Sequence, residues 1–146
     1  MLYFDTSFLA PLILAERTSA AVERFMAALP SGELALSHWT RVEFASVLAR
    51  EVRMGGLRAA AAREADAEFE AIVAESFVVW LPSAGDFDLA RQYLGRHETG
   101  LSAGDALHLA IARNHRAEAI YSLDRQLLKA GKALGLPVQT GIRSGG

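Results

Sequence analysis

Four acidic residues stand where their carboxylates could share one site: Asp5, Glu43, Asp105 and Asp124. Asp5 directly follows a short apolar run, and Asp124 comes shortly after another. If both runs are strands of a parallel sheet, these two acids emerge at the edge where open α/β folds bind ligands. Glu43 and Asp105 each lie near the start of a predicted helix. The spacing therefore favours one acidic cluster at the carboxyl edge of a sheet.

The chemistry of such a cluster is that of a metal site. Four carboxylates held together repel one another and raise their pKa values unless a cation neutralises them. The sequence has no cysteine, and a set of hard oxygen ligands without thiolates suits Mg²⁺ or Mn²⁺. A cation held in this way can activate a water and stabilise a phosphoryl transition state, with one metal ion or two.

Each acid taken alone also fits a structural role. Asp5 and Asp124 could cap the helices that follow them, because aspartate is a preferred N-cap residue. Glu43 stands three residues after Thr40, which is the spacing of a capping box. Asp105 has the same spacing from a serine. It is the common placement of all four acids at one edge that favours the metal site.

The histidines offer no second metal site by their spacing. No two of the four are separated by three residues, so a helical zinc pair is not predicted. His108 lies one turn after Asp105 and could support the acidic site from behind. A packed or surface position is the simpler interpretation of this histidine. The four histidines are His38, His97, His108 and His115.

Strands alternate with helices along the chain, which indicates an α/β protein with a parallel sheet covered on both faces. Apolar runs predict strands at 2–4, 34–36, 77–81 and 119–121, and one more beginning near 137. Helical spacing and propensity predict helices over 6–15, 18–29, 38–53, 57–75, 87–96, 102–113 and 124–134. The segment at 77–81 is the clearest strand, because it is β-branched and aromatic and a proline follows it.

Length and composition indicate one globular domain. The 146 residues are 51% hydrophobic and 22% charged, and they contain no repeat or low-complexity linker. We expect a single domain over 1–141 and a flexible tail over 142–146. Neither a secretory signal nor an apolar run long enough to span a bilayer is visible, and no membrane association is expected. Together with the missing cysteines, this favours the cytoplasm.

The net charge of −2 limits how the protein could hold a nucleic acid. Proteins that bind nucleic acids through charge alone are usually basic, so any contact must rely on bound metal or on a local basic rim. The predicted elements near the acids supply these basic residues: Arg41, Arg50, Arg113, Arg116, Arg125 and Lys129. Arg125 directly follows Asp124, so its guanidinium could reach a phosphate held at the site, although a solvated helix face is the simpler interpretation of any one of these residues.

The acids and their neighbours resemble one known family. The matching segments are Tyr-Phe-Asp-Thr-Ser at 3–7, Val-Glu at 42–43, Ala-Gly-Asp-Ala-Leu-His-Leu-Ala at 103–110, and Ser-Leu-Asp at 122–124. Together they resemble a PIN domain, and more narrowly the VapC-type toxins of toxin–antitoxin pairs. The resemblance covers essentially the whole chain. The run at 103–110 is its most specific part, whereas the opening Asp-x-Ser is weak.

The resemblance implies a PIN-like three-layer α/β/α sandwich with a central, mainly parallel sheet. It also implies cleavage of RNA by a water that Mg²⁺ or Mn²⁺ activates. Asp5, Glu43, Asp105 and Asp124 are then the metal ligands, directly or through water, and Thr6 is the hydroxyl residue that supports the site.

Relatives of this kind commonly form dimers and bind a small antitoxin whose tail crosses the active-site groove. The resemblance therefore implies a homodimer and a cognate antitoxin partner. The predicted helices over 43–53 and 57–73 are the candidate partner surface, although ordinary core packing would also account for them. Many relatives carry one more acid shortly after the last aspartate, where this chain has Arg-Gln-Leu at 125–127.

Other classes fit the residues less well. A haloacid-dehalogenase-type phosphatase needs a second aspartate two residues after the first, and position 7 is serine. A receiver domain needs paired acids after the first strand and a lysine after the last strand, and neither is evident. The main alternatives are a PIN-fold module that binds RNA or protein without cutting, and a PIN nuclease with a housekeeping role.

Overall fold

The computed structural model describes residues 1–143 and has a five-stranded sheet flanked by helices. The strands are β1 (Leu2–Phe4), β2 (Leu34–Ser37), β3 (Val78–Trp80), β4 (Ala119–Tyr121) and β5 (Val138–Gln139). The helices are α1 (Thr6–Leu9), α2 (Ser19–Ala27), α3 (His38–Arg53), α4 (Ala59–Ser76), α5 (Ala84–Gly95), α6 (Ala103–Asn114) and α7 (Arg125–Ala133). Short 3₁₀ turns follow α1 and α5.

The strand order is β3-β2-β1-β4-β5, and every neighbouring pair is parallel. The chain adds β2 and β3 on one side of β1 and then crosses to add β4 and β5 on the other. This reversal makes the carboxyl ends of β1 and β4 the switch point where doubly wound folds bind ligands. Phe4 pairs with Tyr121 at this point, so the residues after both strands begin side by side.

Two apolar clusters cover the two faces of the sheet. Alternate residues of a strand point to opposite faces, so Tyr3 enters one cluster and Phe4 the other. The Tyr3 cluster packs against α5, α6 and α7, and the Phe4 cluster packs against α1 to α4. The predicted α/β/α sandwich with a parallel sheet is thus confirmed.

Two predicted segments differ from the observed ones for clear reasons. The first helix was expected to reach residue 15, but α1 ends at Leu9 and passes into a 3₁₀ turn that contains Pro11. Proline has no N–H for the helical bond and crowds the preceding turn. The strand predicted at 77–81 is shorter in the structure, where β3 covers only Val78–Trp80. β3 lies at the edge of the sheet, and Val78 is 46% exposed.

The helix starts also correct the predicted capping. The capping box of α3 is formed by Ser37 and Thr40 rather than by Thr40 and Glu43. Glu43 is therefore released from the structural role that its spacing allowed. A similar box, Ser83 with Asp86, starts α5 earlier than the apolar pattern indicated.

The domain boundary predicted at 141 remains a prediction. Ile142 is partly buried against the Phe4 cluster. The rest of the predicted tail, residues 144–146, lies outside the described residues. Within residues 1–143, no helix is both long and apolar enough to cross a membrane.

Candidate active site

The four predicted acids line one open cavity at the carboxyl edge of the sheet. Its volume is about 660 Å³. Asp5 follows β1, Glu43 lies in the second turn of α3, Asp105 lies in the first turn of α6, and Asp124 precedes α7. The cavity is lined by Asp5, Thr6, Ser7, Ala10, Glu16, Thr18, Glu43, Ser46, Val47, Arg50, Asp105, Leu123 and Asp124.

Asp5 is buried and held by three donors. Its Oδ1 accepts hydrogen bonds from the Phe8 amide at 3.0 Å and the Ser7 hydroxyl at 2.8 Å. Its Oδ2 accepts one from the Ser122 hydroxyl at 2.6 Å. Burial raises the pKa of Asp5 above its ordinary value, although the charge of His108 and these hydrogen bonds oppose the rise. Asp5 caps α1 as its spacing allowed, and it faces the cavity as well.

Glu43 is fixed through one of its two oxygens. Oε1 accepts a hydrogen bond from the Thr6 hydroxyl at 2.6 Å and a short one from His108 Nε2. Burial alone would raise the pKa of Glu43, but the hydrogen bond and charge of His108, helped by Thr6, bring it below its ordinary value. Glu43 is therefore ionised near neutral pH, and the Thr6 hydroxyl helps to hold it.

Asp124 is the N-cap of α7. Its Oδ1 accepts hydrogen bonds from the backbone amides of Gln126 at 2.8 Å and Leu127 at 3.0 Å. Its own amide donates to the Ser122 hydroxyl at 3.0 Å, so one serine links Asp124 to Asp5. The capping role that the sequence allowed is real, and it leaves the carboxylate on the cavity wall.

The pKa of Asp105 shows most directly the effect of the neighbouring acids. Burial and the charges of Asp124, Asp5 and Glu43 raise its pKa to about 6, against a partial opposing effect of His108. The three other carboxylates therefore lie near enough to act on Asp105. The repulsion expected of four acids at one edge thus acts on Asp105, whereas the pKa of Glu43 is lowered, despite burial, by His108 and Thr6.

Tyr3 and His108 form a buried network behind the acids. His108 is 1% exposed, and its Nδ1 lies 2.6 Å from the Tyr3 hydroxyl. That hydroxyl also lies 3.0 Å from the Ser37 hydroxyl at the start of α3. Burial alone would lower the pKa of His108, but its contacts with Tyr3 and Glu43 and the charge of Asp5 raise it to about 10.

Sequence reasoning undervalued His108 and missed Tyr3. The one-turn spacing from Asp105 placed His108 behind the site, but packing was the preferred interpretation of this residue. Tyr3 stood in an apolar run and gave no polar signal of its own.

Gly104 makes room for Glu43. A β-carbon at position 104 would lie 2.6 Å from Glu43 Oε2 and 3.3 Å from the Trp39 ring. Neither distance is ordinary contact, so a larger residue would displace the carboxylate or the indole. The requirement for glycine immediately before Asp105 is therefore steric.

The basic residues near the acids differ in whether they line the cavity. Arg50, two turns after Glu43 on α3, lines the cavity. Arg41 instead binds Glu70 of α4, with its Nε 3.0 Å from both carboxylate oxygens. Arg125 is exposed at the start of α7 and is not part of the cavity wall.

The residues present fit a hard divalent cation. The cavity wall offers carboxylate and hydroxyl oxygens, which are the donors that Mg²⁺ and Mn²⁺ prefer. Because one oxygen of Glu43 is already held by Thr6 and His108, its Oε2 is the oxygen that remains for a cation. No three acidic or histidine side chains within residues 1–143 converge into a ready-made metal cage. The fit therefore rests on the shared cavity and on the raised pKa of Asp105.

A parallel sheet with an acidic cavity at its switch point defines an α/β protein with a carboxylate site. Within that class the family is clear, because the PIN domain family model matches residues 2–133. The chain belongs to the PIN domain family. The resemblance seen in the sequence is thereby confirmed.

Solved structures of similar shape include toxins of toxin–antitoxin pairs. The chain is 25% identical to the Mycobacterium tuberculosis toxin VapC20, which cleaves the sarcin–ricin loop. That match has a TM-score of 0.71 and covers 93% of this chain and 96% of the toxin. Among curated proteins, no sequence matches this chain.

Two further structures show the same fold. A Pyrobaculum aerophilum protein is 26% identical, with a TM-score of 0.63 over 88% of this chain and 78% of that one. The VapBC-1 structure from nontypeable Haemophilus influenzae is 16% identical, with a TM-score of 0.67 over 97% of this chain and 98% of that one. The second likeness is evidence of the fold alone.

Proposed function

We propose that this protein is an Mg²⁺- or Mn²⁺-dependent endoribonuclease and the toxin of a toxin–antitoxin pair. The observation that carries the proposal is the cavity that all four acids line, where burial and three neighbouring carboxylates raise the pKa of Asp105 to about 6. A cation bound there would remove this repulsion. Membership of the PIN domain family and the likeness to a toxin that cleaves the sarcin–ricin loop support the same activity.

The cation is held by Asp5, Glu43, Asp105 and Asp124 in this proposal. When bound, it supplies the charge that lowers the pKa of a water and stabilises a phosphoryl transition state. The chain keeps the carboxylates in place: Thr6 holds Glu43, and the Ser122 hydroxyl holds Asp5. Such outer partners fix the orientation of metal ligands.

RNA reaches the acids through the open side of the cavity. Its phosphates meet a protein whose net charge is −2, so the bound cation and a few local cations must offset the repulsion. Arg50 contributes from the cavity wall, and we retain Arg125 as a second phosphate contact at the start of α7.

The decisive test measures cleavage of a single-stranded RNA by purified protein with Mg²⁺, with Mn²⁺ and with EDTA. We expect cleavage with either cation and none with chelator. The Asp105→Asn variant should lose more than about 100-fold in activity, since losing only an outer partner of a metal ligand costs about 10- to 100-fold. Asp88→Asn, at an exposed acid of α5 outside the cavity, is the matched control.

Two results would overturn this mechanism. Cleavage that persists in EDTA, after contaminating nucleases are excluded, would refute the metal requirement. An Asp105→Asn variant as active as Asp88→Asn would remove the acids from the chemistry. RNA binding without cleavage under all conditions would instead favour the non-catalytic PIN module.

The biological setting is part of the proposal. We infer that the protein acts in the cytoplasm, as a homodimer, and is held inactive by a cognate antitoxin that covers the cavity. Structures similar to this chain include toxin–antitoxin complexes. A housekeeping PIN nuclease has the same chemistry but no such partner, so growth experiments separate the two roles.

A further inference from the structure

The hydroxyl of Tyr3 joins three elements that each carry an acid of the site. Tyr3 lies on β1, which leads into Asp5, and its side chain is completely buried. Its hydroxyl contacts Ser37, the N-cap of the helix that bears Glu43, at 3.0 Å. It also contacts His108, one turn after Asp105 on α6, at 2.6 Å. The Tyr3 hydroxyl on β1 thus contacts both the N-cap of α3 and a residue of α6.

His108 links the Tyr3 hydroxyl to Glu43. Both ring nitrogens are engaged: Nδ1 with Tyr3 and Nε2 with Glu43 Oε1. A carboxylate only accepts hydrogen bonds, so Nε2 must carry a proton and donate it. Nδ1 then either accepts from the Tyr3 hydroxyl in a neutral ring or donates to it in a charged one. In both cases the contact with Tyr3 fixes the orientation of the ring.

We propose that Tyr3 and His108 are a positioning pair that holds Glu43 Oε1 and so presents Oε2 to the cation. The inference rests on the proposed function, because it assigns the pair a part in metal binding. Neither residue belongs to the cavity wall, so both act through Glu43. The Tyr3 hydroxyl orients His108, and His108 in turn orients the carboxylate.

Ordinary packing does not require the Tyr3 hydroxyl. The ring of Tyr3 stacks on Trp80 with centroids 5.8 Å apart and planes 11° apart. A phenylalanine would keep this stacking and the burial of the ring. Removing the hydroxyl therefore separates positioning from packing, because only the hydrogen bonds to Ser37 and His108 are lost.

The test compares Tyr3→Phe with Tyr121→Phe as a matched control. Tyr121 is also a buried tyrosine, it lies on the neighbouring strand β4, and its ring stacks on Phe4. Mn²⁺ affinity is measured by calorimetry on the full chain, and RNA cleavage gives kcat and KM separately. The imidazole signals of His108 are recorded by ¹⁵N NMR on the metal-free protein.

We expect Tyr3→Phe to weaken Mn²⁺ binding roughly 10-fold, as loss of an outer partner of a metal ligand does. At saturating Mn²⁺ the kcat should fall, while KM for RNA stays unchanged because the cation site is then filled and Arg50 is untouched. The His108 signals should shift in metal-free protein. Tyr121→Phe should match the wild type in all three measurements.

Equal Mn²⁺ affinity and unchanged His108 signals in the two variants would overturn the positioning pair. If the wild type itself binds no Mn²⁺ and cuts no RNA, the proposed function fails, and the NMR comparison still decides the pair. His108 signals that are unaltered by Tyr3→Phe would then refute the coupling of Tyr3 to His108.

Discussion

At the scale of single residues, the four acids differ in how their charges are offset. Asp5, Glu43 and Asp124 accept hydrogen bonds from defined donors. The pKa of Asp105 is governed instead by burial and by repulsion from the other three. In metal-free protein, Asp105 therefore takes up a proton at mildly acidic pH, and a cation must compete with that proton.

The first prediction concerns Asp105 and pH. Its folded pKa of about 6 lies above the ordinary value of 3.8, so the folded chain binds the proton more tightly than the unfolded chain. The contribution of Asp105 to stability should then fall as pH rises from about 4 to beyond 6. Asp105→Asn should flatten this fall and make the metal-free protein more stable than the wild type at neutral pH.

The free energy of unfolding is measured with urea, in EDTA, at several pH values. Asp88→Asn is the control, and it should show the same pH dependence as the wild type. An Asp105→Asn variant that is less stable at neutral pH would show that the carboxylate stabilises the start of α6 instead.

The second prediction separates two arginines. Arg50 lines the cavity, whereas Arg125 is exposed and directly follows Asp124, which lines it. We expect Arg50→Ala to weaken binding of a non-cleavable RNA and to reduce its salt dependence, because one phosphate contact is lost. Arg125→Ala should have a smaller effect of the same sign. Neither variant should change Mn²⁺ affinity.

Fluorescence titrations over a range of salt concentrations measure these effects. Arg41→Ala is a useful third variant, since Arg41 is already paired with Glu70. If Arg50→Ala binds RNA as the wild type does, the phosphate contacts lie outside the cavity wall.

At the scale of elements, helix starts position the site. Asp5 and Asp124 are the N-caps of α1 and α7, and Asp105 lies in the first turn of α6. Backbone amides at a helix N-terminus favour negative charge. Two of the four acids, Asp5 and Asp124, are thus held in place by backbone amides of the helices that they cap.

The third prediction compares two helix starts that carry the same capping motif. Ser37 and Ser83 each complete a capping box, at α3 and α5 respectively. Replacing either by alanine should cost about 1 kcal/mol of stability. Only Ser37→Ala should also lower cleavage, because α3 carries Glu43 and Ser37 contacts Tyr3.

Chemical unfolding and RNA cleavage are measured on both variants. Ser83→Ala is the control for the general effect of losing a helix cap. Equal losses of cleavage in the two variants would mean that the start of α3 has no special part in the site.

At the scale of the whole molecule, the outward sides of α3 and α4 are the candidate partner surface. Their inner sides are occupied, since Phe44 stacks on Phe69 with centroids 4.1 Å apart. Val42 and Met54 remain 58% and 70% exposed on or just after α3. An antitoxin on this face would lie beside the cavity, because α3 also carries Glu43 and Arg50.

The fourth prediction is toxicity that a partner relieves. Expression of the wild type alone should slow bacterial growth, and co-expression with the cognate antitoxin should restore it. Asp124→Ala should be harmless, because it removes one of the four acids. Growth curves and size-exclusion chromatography of the co-expressed proteins measure toxicity, complex formation and the proposed dimer. A wild type as harmless as Asp124→Ala would refute the toxin role and leave a housekeeping nuclease.

The sequence alone determined the order of elements and the placement of the acids. Apolar runs separated by helical segments imply a parallel sheet, and residues that follow its strands share one edge. Asp5 and Asp124 were therefore predictable, as was α3, whose bounds match the predicted 38–53. These features depend on local periodicity, which the sequence displays directly.

Only the tertiary structure decided which side chains support the acids. The contact of Tyr3 with His108 joins residues 105 positions apart, and that of His108 with Glu43 joins residues 65 apart. Such contacts depend on how α3 and α6 rotate and pack against β1. The same packing placed Arg50 in the cavity wall and Arg125 outside it. Local periodicity fixes which face of a helix is buried, but the partner of each buried polar atom is fixed only when the layers close together.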